Sequence, residues 1–223
     1  MNQFERKKKK LFILSLIVVS LVFLVVFFNV KNVSQEQRIG PNPHIETEGI
    51  YRKFISGREY CVPRSYLRSG SDDASESLLL YLTFPEMTPD QDNYYSHEDR
   101  YKKLKILIHP QKDMRPLEEV VVERKRFLQV ELVPSDTKGL TFFKQSEDSS
   151  NDGGDLYTEE KEGKLLSYIS CGKVITNISV PQCVQSKFHQ NLSLQITYDK
   201  DLLQEWKSIE DKAIDLIDNF KCK

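Results

Sequence analysis

Residues 183–222, CVQSKFHQNLSLQITYDKDLLQEWKSIEDKAIDLIDNFKC, decide the fold class. The first half holds two short runs, residues 183–188 and 192–198, with the length and apolar content of β-strands. In the second half the period changes. Leu202, Trp206, Ile209, Ala213, Leu216, Ile217 and Phe220 recur at three and four residues, with Glu205, Lys207, Asp211, Lys212 and Asp215 on other faces. That spacing predicts a helix over residues 200–220. Asp199 or Asp201 is placed to cap it, because a short carboxylate reaches the free N–H groups of a first turn. Strands followed by one amphipathic helix read as α+β, and the helix stripe reads as the face packed on the sheet.

Working outward, the strand pattern repeats. Residues 51–55 and 58–62 flank the Gly-containing turn Ser56-Gly57 and predict a hairpin. Further apolar or alternating runs fall at residues 78–84, 104–108, 119–122, 127–133, 140–143, 165–171 and 173–178. Pro85, Pro89, Pro110, Pro134, Gly139, Gly172 and Pro181 sit at the breaks. Close spacing without a long helical pattern between the runs predicts a mostly antiparallel sheet rather than βαβ units.

The N-terminal end has a different chemistry. Residues 11–28, LFILSLIVVSLVFLVVFF, carry only two serines as polar interruptions. About 18–20 such residues in a helix cross a ~30 Å hydrocarbon core. Arg6 and Lys7, Lys8, Lys9 and Lys10 precede them and hold that end in the cytoplasm. A cleaved signal has a core of ~7–15 residues and an Ala-x-Ala-like site after it; Asn29-Val30-Lys31-Asn32-Val33-Ser34 lacks that pattern. The expected organisation is a cytoplasmic basic segment (1–10), a transmembrane signal anchor (11–30), a linker (31–50) and an α+β domain (51–223), the last two delivered across the membrane. The expected topology is single-pass, through residues 11–28. Gly40-Pro41-Asn42-Pro43 makes the linker an extended tether that holds the domain off the bilayer.

The chain has 32 Lys+Arg and 33 Asp+Glu; removing the five bases and one acid of residues 1–10 leaves 27 bases against 32 acids beyond the anchor, a net charge of −5. Mild acidity excludes nucleic acid as a partner and argues against a polybasic grip on lipid headgroups. Cys61, Cys171, Cys183 and Cys222 all lie on the exported side. An even count in an oxidising compartment reads as two disulfides with three possible pairings. The favoured pairing is Cys171 with Cys183, across adjacent strands, and Cys61 with Cys222, pinning the C-terminal end to the start of the domain.

Chemistry-bearing motifs are sparse. Asp148, Ser150, Asp152, Gly153 and Glu159 approach an EF-hand spacing. Ser150 and Asp155 depart from the pattern and the flanks do not read as helices, so a solvated acidic loop is the better reading. His44, His97, His109 and His189 are scattered, and no nucleophile elbow, phosphate loop or dinucleotide turn is present. No cofactor, metal or catalytic residue is expected. Asn32, Asn177 and Asn191 begin acceptor triplets for glycosylation, short enough to arise by chance. Residues 147–162 concentrate Glu147, Asp148, Asp152, Asp155, Glu159, Glu160 and Glu162 against Lys161. Glu147, Asp148, Asp152 and Asp155 are the candidate partner-binding residues, since an exposed acidic loop steers a basic partner.

Four segments together carry a family resemblance: Glu59-Tyr60-Cys61-Val62-Pro63-x-x-Tyr66-Leu67; Leu79-Leu80-Tyr81-Leu82-Thr83-Phe84-Pro85-Glu86-Met87-x-Pro89; Gly163-Lys164-Leu165-Leu166-Ser167-Tyr168-Ile169-Ser170-Cys171; and Cys183-Val184-Gln185-Ser186-Lys187-Phe188 running into Tyr198, Leu202, Glu205-Trp206 and Ile209-Glu210. The chain resembles small, membrane-anchored bacterial periplasmic proteins that act as immunity proteins against type VI secretion effectors. The resemblance implies a single-pass protein of the bacterial inner membrane, with residues 31–50 as a periplasmic linker and 51–223 as a periplasmic domain, and a non-enzymatic module that binds a cognate periplasm-acting effector; it transfers no binding residues. The rival expectations are an accessory subunit of an envelope complex and, third, an envelope enzyme.

Overall fold

The computed structural model describes residues 48–68, 76–90, 100–146, 154–172 and 181–223. The apolar stretch 11–28, the linker to residue 47 and the run 173–178 lie outside them; among the described residues no helix is long and apolar enough to cross a membrane.

Strands β1 (Ile50–Ile55) and β2 (Arg58–Pro63) form a separate antiparallel hairpin around Ser56-Gly57, and β1 begins at the last residue assigned to the linker. The remaining strands are β3 (Leu78–Thr83), β4 (Thr88–Pro89), β5 (Lys103–Pro110), β6 (Val130–Val133), β7 (Thr141–Gln145), β8 (Gly154–Lys161), β9 (Lys164–Gly172), β10 (Gln182–His189) and β11 (Leu192–Asp199). They make one antiparallel sheet in the order β4-β3-β5-β11-β10-β9-β8-β7-β6. The chain therefore leaves β5 in the interior, restarts at the far edge with β6, and returns strand by strand until β11 fills the place beside β5.

That jump is made by a helix, α1 (Leu117–Leu128), which corrects two sequence expectations. Residues 119–122 are helical, and residues 127–133 split into the end of α1 and the shorter strand β6. Val120, Val121 and Val122 have strand propensity, but a sheet face to cover overrides it. Leu117, Val121 and Leu128 turn onto Leu156, Leu165 and Tyr168 in one apolar cluster. Glu118 and Glu119 in the first turn and Lys125 and Arg126 in the last complement the helix dipole. Gln129 closes the helix at φ 49°, its N–H donating to the Lys125 carbonyl.

The second helix, α2 (Trp206–Asn219), follows a 3₁₀ segment over Lys200–Glu205, so the α-helix begins six residues later than its periodicity suggests. Asp199 caps that segment, accepting from Asp201 N at 3.0 Å. Trp206, Ile209, Ala213 and Ile217 join the main core with Leu80, Ile106, Leu194, Ile196 and Tyr198. Successive strand residues face opposite ways. Leu156 and Tyr168 lie in the α1 cluster while their neighbours Tyr157 and Ile169 lie in the α2 core, so the helices cover opposite faces of the sheet. A bulge at Glu159/Glu160 shifts the β8–β9 register and brings Leu165 to the same face as Tyr168.

Two disulfides tie the domain. Cys171 and Cys183 are direct partners in the β9–β10 register, Cα–Cα 4.0 Å. Cys61 and Cys222 join the hairpin to the C-terminal end, Cα–Cα 5.1 Å. The same junction is zipped by backbone: Cys61 N donates to Phe220 O (2.7 Å) and Cys222 N to Glu59 O (3.1 Å). At the hairpin tip Ser56 Oγ donates to the Asn191 carbonyl at 2.8 Å.

Candidate partner-binding surface

Of the acidic residues singled out from sequence, Glu147, Asp148 and Asp152 lie outside the described residues. Asp155 does not sit in a loop. It is the second residue of β8, largely buried, and accepts from Lys200 Nζ at 2.8 Å. Glu159 and Glu160 are strand residues too, because pairing with β9 begins at Gly154. A Cβ at Gly154 would fall 1.7 Å from the Cys171 carbonyl oxygen, so glycine alone lets the two backbones approach so closely there. Glu159, at the twelfth position of the EF-hand-like spacing, accepts from Ser167 Oγ at 2.9 Å and lies 3.5 Å from Lys187 Nζ. Facing ammonium groups from a strand, it is not arranged as a calcium ligand. Among the described residues no group of three His, Cys, Asp or Glu side chains is placed to hold a metal.

Glu159 belongs to a polar network buried beneath α2. Glu210, completely buried, accepts from Gln185 Nε2 (2.7 Å), Lys187 Nζ (2.7 Å) and Lys207 Nζ (2.6 Å). Tyr198 OH donates to Gln185 Oε1 at 3.3 Å, and burial followed by the Glu210 charge pushes that phenol far above its ordinary range. Two carboxylates are thus interleaved with two ammonium groups. Such an arrangement holds charge in balance and sets where α2 docks; it does not poise a proton for transfer.

His109 Nδ1 lies 2.8 Å from Ser77 Oγ, the start of a serine–histidine dyad. Among the described residues no carboxylate bonds to its second nitrogen, which a catalytic triad requires. His189 Nε2 lies 3.2 Å from Asp218 Oδ1, and Lys221 also pairs with that carboxylate. Burial raises the Asp218 pKa, but hydrogen bonds from Lys221 and His189 and their charges outweigh it and hold the group below the usual value. A depressed carboxylate stabilises the fold above its unfolded pKa of about 3.9 and loses that contribution as pH falls through the folded value. Asp218→Asn is therefore expected to lower the urea midpoint at neutral pH and to converge on the wild type in acid, which a urea series at several pH values measures.

The surface features that sequence reading missed lie around α1. Beside its N-terminal end, Met114, Pro116, Leu117, Leu165, Leu166 and Phe188 line a cleft of about 410 Å³. On its outer side Val122 and Phe127 are more than half exposed, and Leu132, on β6, is 68% exposed. β6 ends the sheet and pairs only with β7 among the described strands. Alternate residues of an edge strand turn their N–H and C=O groups away from the sheet. Lys125, its ammonium 3.6 Å from the centre of the Phe143 ring, fixes the end of α1 over β7. The signal was available: 117, 121, 124 and 128 follow helical spacing, with acids at the front and bases at the back.

No protein-family profile and no curated protein sequence matches the chain. Two solved structures share its fold. Smlt3025, an immunity protein of the Stenotrophomonas maltophilia type IV secretion system, aligns with a TM-score of 0.62 at 18% identity, over 82% of this chain and 99% of that one. FrpD, an iron-regulated outer membrane lipoprotein of Neisseria meningitidis, aligns with a TM-score of 0.50 at 13% identity, over 82% of this chain and 97% of that one. The fold is thus one that both of these proteins share. At such identity the likeness is one of backbone topology alone.

Proposed function

We propose that this chain is a membrane-anchored periplasmic immunity protein that neutralises a secreted antibacterial effector by binding it. The observation that carries the reading is the fold shared with Smlt3025 over nearly the whole of that chain. The apolar stretch 11–28 behind five cations, and four cysteines in two disulfides, suit an exported, tethered domain. The sequence resemblance is to immunity proteins of type VI secretion and the structural neighbour serves a type IV system; type VI delivery is the proposal, to be checked in the adjacent genes. The module acts by occlusion, without catalysis. The contact is placed on the outer side of α1 and the β6 edge, with Glu147, Asp148 and Asp152 steering a basic effector toward it.

The test is co-expression of the full chain with the product of the neighbouring toxin-like gene directed to the periplasm. Wild-type chain should rescue growth and co-purify with the toxin. Phe127→Glu with Leu132→Glu should abolish both while leaving the thermal midpoint nearly unchanged, because exposed substitutions cost under about 0.5 kcal/mol. Glu147→Ser with Asp148→Asn and Asp152→Asn should slow association and flatten its salt dependence. Rescue by the Phe127/Leu132 variant would remove this surface from the interface, and absence of any complex would defeat the immunity reading. The second reading, an accessory protein of the envelope, has one observation in its favour, the fold shared with the lipoprotein FrpD.

A further inference from the structure

The two edges of the nine-stranded sheet are built differently. β4, at one end, is two residues long and ends in Pro89, which has no N–H to offer. β6, at the other, has no proline among Val130–Val133. Its outer side can be mapped bond by bond. Ser146 N donates to the Gln129 carbonyl at 3.2 Å, and these two residues continue the β6–β7 register. Hydrogen-bonded pairs alternate with non-bonded ones along an antiparallel ladder. Glu131 and Val133 therefore bond to Lys144 and Phe142, and the N–H and C=O groups of Val130 and Leu132 point away from β7. The side chains alternate as well. Val130 and Phe143 pack against the α1 cluster, so Leu132, opposite Phe143, lies on the α1 side and Glu131 on the other. Leu132 is exposed, and so is Val122, three residues before Lys125 and on the same flank of α1, the one over Phe143. Glu131 is exposed too, with Lys144 across from it on its inner side only.

We propose that β6 takes one more strand from the effector, antiparallel like every other pair in the sheet, and that this strand carries a Lys or Arg between two apolar residues. The pairing presupposes the effector reading above and names its contact. N–H and C=O groups turned outward at alternate residues are matched by an extended backbone. Strand addition of this kind takes its affinity from main-chain hydrogen bonds and its specificity from alternate side chains. Residues opposite Val130 and Leu132 fall on the α1 side, where Leu132 and Val122 give them apolar contact. The residue opposite Glu131 stands in a non-hydrogen-bonded pair, the closer kind at about 4.5 Å between Cα atoms. A cation there meets the carboxylate. A second copy of this chain is the occupant that Glu131 disfavours. A two-fold axis that pairs Val130 with Leu132 sets Glu131 against Glu131, and like charges directly opposite destabilise a sheet. Moving the axis to Leu132 brings Pro134, which has no N–H, opposite Val130. Moving it to Val130 brings Leu128, the last residue of α1, opposite Leu132. The edge is closed to itself and open to a strand of complementary charge.

The test is residue-resolved hydrogen exchange of the full chain in detergent micelles, alone and with the product of the neighbouring toxin-like gene. Strand addition should slow the amides of Val130 and Leu132 by about tenfold or more, and leave those of Glu131 and Val133, already bonded to β7, nearly as they were. Leu132→Pro removes an N–H that β7 does not use, so the edge strand keeps its inner pairing. Affinity for the effector should then fall about 10–100-fold, the effect of leaving one hydrogen-bonding partner unsatisfied. Glu131→Lys should weaken binding several-fold, and Glu131→Gln less. A complex that leaves the amides of Val130 and Leu132 unchanged overturns strand addition while the immunity reading stands, and this wild-type comparison decides the matter even where Leu132→Pro fails to fold. Protection of both amides that rises with chain concentration, without effector, makes a second copy the occupant and also overturns the proposal. Absence of any complex overturns strand addition and the immunity reading together.

Discussion

Glu210→Ala is expected to cost about 3–5 kcal/mol, the range for removing one partner from a buried charge pair. The carboxylate is completely buried and takes hydrogen bonds from Gln185, Lys187 and Lys207. The three donors do not suffer equally. Lys207 is half exposed and turns back to water, whereas the Lys187 side chain is only 17% exposed. Glu159, 3.5 Å away, is already shared with Ser167 and cannot replace the lost carboxylate. The larger part of the cost is thus the charge left on Lys187. It follows that Glu210→Leu with Lys187→Met should recover much of the stability, since a well-packed apolar pair often replaces a buried ion pair without loss. Urea unfolding of the two variants measures both. A loss under about 1 kcal/mol for Glu210→Ala would mean that water reaches the network and the pair carries little.

Removing the Cys61–Cys222 bond should cost more than removing Cys171–Cys183. The first spans a sequence separation of 161 and the second one of 12. In the chain-entropy picture these correspond to about 5 and about 3 kcal/mol. The long closure also holds a junction with few other backbone ties: the two hydrogen bonds that make the single bridge between Tyr60 and Lys221 join the hairpin to the C-terminal end. The short one links strands already paired along five residues. Cys61→Ser with Cys222→Ser should therefore lower the thermal midpoint further than Cys171→Ser with Cys183→Ser and release protection from hydrogen exchange in the hairpin. The reverse order would show that local strand pairing, not loop closure, governs the effect.

Reading the sequence located the C-terminal helical segment, with Asp199 as one of two candidate caps, and eight of the sheet and hairpin strands to within a few residues, because those segments have one dominant period and clear breaks. It misread α1. Val120, Val121 and Val122 have strand propensity in isolation, and only a sheet face presenting Leu156 and Tyr168 makes helix the better solution. It also misread Asp155. A Gly-Gly-Asp sequence reads as loop, but Gly154 permits close backbone approach to Cys171 and starts a strand.

Order along the chain therefore carried the secondary structure wherever burial followed a local period, along with the pairing of the cysteines and the break between the apolar stretch and the rest. Strand order could not be read in that way. That β11 lies beside β5 and leaves β6 as an edge depends on contacts between residues far apart in sequence, which no local pattern encodes. The same holds for the exposed apolar surfaces. Val122, Phe127 and Leu132 look like core residues in sequence, as do Ile50 and Phe54, and only the packed structure shows that nothing in the described domain covers more than half of each.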